Sequence, residues 1–195
     1  MKISKDLRLV IPVETEYGSS FVHAQAVGKD TFDRYFVIIA QAFSNIYRDG
    51  VSWHGGPRVA ARYIRAAAEA KGVKDEVESG LIGEMVRLAN VSVRGATGED
   101  GKSPTAWEMV PLYDAFKKGL VDDDVKDEVE NALAFFTLAS CMHRKNELEA
   151  ILGGAMDLWG GRLIPSSFTE FHASLPTSTA IASSGEKAPA SSAIY

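Results

Sequence analysis

The chain has 195 residues, 46% of them hydrophobic and 24% charged, with one cysteine and a net charge of −5 at pH 7. A chain of that length buries roughly 70% of its unfolded surface, so it needs no metal or disulfide to hold a core. Its acidity and scattered basic residues exclude a nucleic-acid binder, because phosphate contacts call for clustered Lys and Arg.

Leu7, Leu9, Ile11 and Val13 alternate with Arg8, Val10, Pro12 and Glu14, the period-2 pattern of a half-buried strand. Pro12 donates no ladder bond, which places this strand at an edge. Gly18 marks a turn, and 21–27 reads as the return strand of a hairpin spanning 7–27. Two strands are marginal alone, so the hairpin must lie on a helix.

That helix follows, with Asp30 or Thr31 as its cap and Gly50 at its end. Phe32, Tyr35, Phe36, Ile39, Ala40, Phe43, Ile46 and Tyr47 recur at spacings of three and four. With Val37, Ile38 and Ala42 the pattern becomes apolar nearly all round, which predicts a buried central helix. Pro57 opens a second helix that runs to Gly72, and a third is expected over 75–89. Residues 94–103 form a polar glycine-rich loop, and a short helix from Ser103-Pro104 through Trp107 is broken near Pro111. The longest helix is predicted from Asp122 to about Leu152, with one inner stripe and a second apolar face at Phe135, Leu138 and Met142. From 176 to 195, fourteen of twenty residues are Ser, Thr, Ala or Pro. That composition buries too little to offset its ordering entropy, so a disordered tail is expected. The reading is an α+β fold, mainly α: a single domain over 1–175 in which an N-terminal β-hairpin packs on a helical bundle, followed by the tail.

The candidate chemistry is thin. Gly101-Lys102-Ser103 ends like a phosphate-cradling loop, but the required first glycine is Ala96, with Gly95 one residue too early. His23, His54, His143 and His172 share no metal-ligand spacing with Cys, Asp or Glu. Cys141 sits on an apolar face with no arranged positive group, as a core residue does. The acidic run from Asp122 to Glu130 lacks the glycine and terminal Glu of a calcium loop; a helix cap and a solvated face account for it. No catalytic residue, cofactor or metal is expected, and the chain reads as a non-enzyme.

The order Asp6-Leu7, Leu9 to Val13, Gly18, Val22-His23-Ala24, Phe32, Tyr35-Phe36, Ile39, Phe43, Ile46-Tyr47 and Gly50 resembles the N-terminal region of tail assembly chaperones of long-tailed bacteriophages. Gly56-Pro57-Arg58 and the Ser/Thr-rich end are similar as well, while 73–121 has no counterpart. The resemblance implies a non-catalytic helper that binds the tape-measure protein and helps recruit tail-tube subunits. It also implies a second, longer form made by frameshifting. Partner binding is assigned to Phe135, Leu138 and Met142, and to Phe168 and Phe171, with burial in the chain's own core as the competing reading. A homo-oligomer is possible on this pattern; nucleic acid and membrane are not expected partners. The start MKISKDLRLV lacks the apolar stretch of a signal peptide, so the host cytoplasm is the expected location, outside the mature virion. The rival class is a structural virion component at tail completion or the head–tail joint.

Overall fold

The computed structural model describes residues 7–15, 18–51, 54–94, 107–143, 147–148, 152 and 160–175. Strands β1 (Arg8–Thr15), β2 (Gly18–Gln25), β3 (Ala89–Arg94), β4 (Trp107–Pro111) and β5 (Arg162–Ile164) make one antiparallel sheet in the order β4-β3-β2-β1-β5. The hairpin is therefore part of a five-stranded sheet. At its turn Gly18 takes φ +94°, and its carbonyl accepts a 2.9 Å hydrogen bond from the Thr15 hydroxyl.

The period-2 alternation divides the sheet into two faces. Leu9, Ile11 and Val13 of β1, Val22 and Ala24 of β2, Ala89, Val91 and Val93 of β3, and Val110 of β4 join the main core. The register sets Leu9 against Ala24, Ile11 against Val22, and Val22 against Val91, so this inner face is continuous across the strands. Strand β1 was expected at an edge, but β5 takes that place; β5 pairs with β1 only at Arg8–Val10 and stops before Pro12, which has no N–H to donate.

The helices are α1 (Lys29–Arg48), α2 (Ala60–Glu69), α3 (Lys74–Val77), α4 (Gly83–Arg87), α5 (Leu112–Lys117), α6 (Asp123–Met142) and α7 (Phe168–Ser174). A 3₁₀ turn at Gly56–Arg58 carries Pro57 ahead of α2. Helix α6 is the central one. Every residue from Val129 to Cys141 is buried, and the helix packs against α1, α2, α4, the 3₁₀ turn and β1. Its two apolar faces thus find partners inside the fold. Helix α1 was expected in that central place, but it buries Phe32, Tyr35, Ile38, Ile39, Ala42 and Ile46 while leaving Phe36, Val37 and Tyr47 exposed. Helix α2, with α6 and the π turn at Glu78–Ile82, covers only one side of it.

Three further expectations give way. The helix expected over 75–89 is interrupted by a π turn at Glu78–Ile82 and yields to β3 at Ala89. A Cβ on Gly80, inside that turn, would lie 1.8 Å from Tyr35 Oη, so the glycine is what admits the tyrosine. The short helix expected through Trp107 is instead edge strand β4, and Pro111 ends it directly before α5. Helix α6 stops at Met142, ten residues before the expected end at Leu152, because His143 is extended. The tail at 176–195 and the loop at 95–103 lie outside the described residues.

A polar bond ties the helices together at depth. The backbone N–H of Ala61, in the first turn of α2, donates to Asn131 Oδ1 at 3.0 Å, and Asn131 Nδ2 donates to the Asp127 carbonyl at 2.8 Å. Val59 at the N-cap has no capping side chain, so α6 supplies the cap. Asn131→Leu is expected to cost about 1–3 kcal/mol through the orphaned N–H, read as a lower urea midpoint at unchanged slope.

Candidate partner-binding surfaces

The outer face of the sheet is roofed by α7. A capping box starts this helix: Ser167 Oγ accepts from the Glu170 backbone N–H at 3.3 Å, and Glu170 Oε2 accepts from the Ser167 N–H at 2.7 Å. Those bonds hold the Glu170 carboxyl below its usual range. Phe168 then meets His23 edge-on with ring centres 5.0 Å apart, and Phe171 lies 5.8 Å from Phe21 and 5.6 Å from His23. Phe21 extends the cluster to Trp107 at 5.7 Å. His172 Nδ1 and Ser92 Oγ are 3.0 Å apart, and His23 Nε2 donates to the Ser166 carbonyl at 3.4 Å. Burial, aided by the Arg8 charge, pushes the His23 pKa below 6.5, so its ring is neutral at pH 7. Phe168 and Phe171 are half-buried here, and their rings hold α7 to the sheet.

The other three residues assigned to partner binding separate. Phe135 and Leu138 are 2% and 1% exposed within the main core, so the folded chain offers neither to a partner. Met142, the last residue of α6, is 36% exposed. Cys141 beside it is fully buried, and burial pushes its thiol up to about 12. With almost no thiolate at neutral pH, Cys141 should react with an aromatic disulfide reagent only as fast as the protein opens. A fast native-state reaction would contradict that placement.

Helix α1 presents the apolar surface that sequence reasoning missed. Phe36, Phe43 and Tyr47 are offset by seven and eleven residues, which sets them on one stripe of the helix. The stripe runs about 16 Å along the axis at 1.5 Å per residue. Phe36 is 48% and Tyr47 43% exposed, and Phe43 packs on Tyr47 and on His143 at the end of α6. On the neighbouring side Val37, 58% exposed, borders a groove of about 470 Å³ lined also by Arg34, Tyr35, Ile38, Lys71 and Val73. The breadth of apolar residues on α1 was visible in the sequence; the signal was read as burial.

The acidic run divides among structural tasks. Asp123 and Asp124 occupy the first turn of α6, Asp127 pairs with Arg62 at 3.2 Å, and Glu130 pairs with Arg65 at 2.6 Å. Among the described residues no three His, Cys, Asp or Glu side chains gather as a metal set, and no helix is long and apolar enough to cross a membrane. The architecture is α+β, mainly α, with an N-terminal hairpin built into an antiparallel sheet. No protein-family model, curated protein or solved structure matches the chain.

Proposed function

We propose that this chain is a non-catalytic tail assembly chaperone of long-tailed bacteriophages, which binds the tape-measure protein in the host cytoplasm and helps recruit tail-tube subunits. The observation that carries the reading is the exposed stripe on α1. Most hydrophobic residues in the likeness to that family, from Leu9 to Ile46, are buried, and a core alone would select them. Phe36 and Tyr47 belong to the same likeness and stay 48% and 43% exposed although each has a ring neighbour on its own helix, so burial in the core does not account for them. A long amphipathic helix could lay its apolar face along such a stripe, with its anchors three and four residues apart. The acidic surface of the chain would then keep the complex soluble.

The test is co-expression with a long helical tape-measure protein. The proposal expects the tape-measure protein to become soluble only with this chain, and a complex of the two to co-purify. Solubility independent of this chain, with no complex, would sink the reading. Recovery of the chain at fixed stoichiometry from purified virions would favour the structural virion component instead.

A further inference from the structure

We propose that the outer face of the sheet, beside the first residue of α7, carries a binding site for a small carboxylate. The strand register builds it. Arg8 of β1 stands opposite Gln25 of β2, and His23 of β2 stands opposite Asn90 of β3, so four polar side chains form a square on a face otherwise carrying Val10 and Phe21. They line a cavity of about 160 Å³ whose remaining wall includes Leu88, Phe168 and Arg87. Arg87 is engaged by Glu84 at 2.9 Å, and His23 gives its Nε2 proton to Ser166. The side chains of Arg8, Gln25 and Asn90 have no hydrogen-bond or ion-pair partner among the described residues.

The charge left over is one-sided. A guanidinium with five N–H donors and no acceptor, beside two carboxamides that each carry two N–H donors and one acceptor oxygen, faces a space that no carboxylate of the described chain lines. The complement of the unpaired guanidinium is an anion, and a carboxylate matches its fork with two oxygens while the carboxamides adapt to either. Leu88 and Phe168 add apolar contact for a short hydrocarbon body. The cavity of about 160 Å³ has room for a carboxylate and a ring-sized body. Either a free small carboxylic acid or the C-terminal carboxylate of a peptide presents that group.

Benzoate and its neutral isostere benzamide test the site on the full chain, followed by ¹H–¹⁵N NMR. Benzoate is expected to shift the backbone signals of Arg8, Gln25 and Asn90 saturably, with a Kd of about 1 mM for so small a ligand. Benzamide is expected to leave them in place. Arg8→Gln and, separately, Asn90→Leu should each weaken benzoate by about tenfold, and the unfolding midpoint should hold because neither side chain has a protein partner. A peptide ending in a free phenylalanine carboxylate, compared with its C-terminal amide, separates the two sources. Affinity about tenfold above that of benzoate, lost in the amide, assigns the site to chain ends, and equal affinity assigns it to free acids. Absence of saturable shifts at roughly 20 mM benzoate, or undiminished binding in both variants, would overturn the proposal.

Discussion

Replacing Phe135 by alanine is expected to lower stability by about 3–5 kcal/mol, the cost of emptying a buried aromatic site. In a chain of this length each kcal/mol moves the thermal midpoint by about 2–4 °C, so the loss is easily read. The ring has no room to be anything but core. A Cβ built on Gly56 would lie 2.4 Å from Phe135 Cε2 and 2.8 Å from Cδ2, so the ring rests directly on the glycine backbone of the 3₁₀ turn. Gly56→Ala should therefore overpack the site and cost about 1–3 kcal/mol in the wild-type background. In the Phe135→Ala background the added methyl enters vacated space, and most of that cost should vanish. The double-mutant cycle measures this coupling directly. Were Phe135 a partner surface, its truncation would spare the melting temperature and abolish binding alone.

The second large effect belongs to Arg65. Its Nε and Nη2 donate to both oxygens of Glu78 at 2.8 Å, and Nη2 also donates to Glu130 Oε2 at 2.6 Å. One side chain thus joins α2, the π turn and α6. Glu130 is only 8% exposed, and Arg65→Ala would leave that carboxylate without its cation. Breaking a fully buried pair costs about 3–5 kcal/mol; the solvent contact of Arg65 and Glu78 reduces the expected loss to about 2–4 kcal/mol. Glu130→Gln keeps an acceptor for Arg65 and should cost less. The pH dependence has a definite sign. Hydrogen bonds from Arg65 hold the Glu78 carboxyl below its ordinary value of 4.5. The stability that this brings is full above that value and is lost as pH falls through the lower folded-state value. The urea-midpoint gap between wild type and Arg65→Ala should accordingly narrow as the pH drops below about 4.5.

The elements that local pattern can specify were legible. Leu7, Leu9, Ile11 and Val13 recur at every second position, Gly18 and Gly50 stand where a positive φ is needed, and the Asp-rich start of α6 marks its first turn. The missed elements depend on distant residues. Strand β3 has only Val91 and Val93 as β-branched alternation, directly behind a helical pattern, and it forms because β2 offers an edge beside it. Strand β5 is three residues long and owes its existence to β1. The π turn answers to Tyr35, over forty residues away, whose hydroxyl donates to the Glu76 carbonyl at 3.3 Å. No spacing rule along the chain could have shown it.

The candidate surfaces were legible in a similar proportion. Aromatic content on α1 was plain, but hydrophobic periodicity reports how apolar a helix is and not how much of it finds cover. Phe36 and Tyr47 look like core in the sequence and lie outside it in the fold. The second apolar face of α6 erred the other way. Phe135 and Leu138 were assigned to a partner, and the chain supplies that partner itself through the 3₁₀ turn and the helices around α6. Arg65 and Glu130, sixty-five residues apart, carried no local signal at all.

Partner binding rests on the stripe of α1, and one measurement reaches it directly. Phe36→Ser with Tyr47→Gln removes two half-exposed rings that touch Phe32 and Phe43, so stability should fall by about 1 kcal/mol per site and leave the chain folded. Capture of a tape-measure protein from co-expressing cells should then be compared between this double variant and the wild type, with thermal midpoints recorded beside it. Loss of the complex, with a midpoint lowered by only a few degrees and the chain still folded at the working temperature, is the predicted result. A complex retained in full by the double variant would contradict the account.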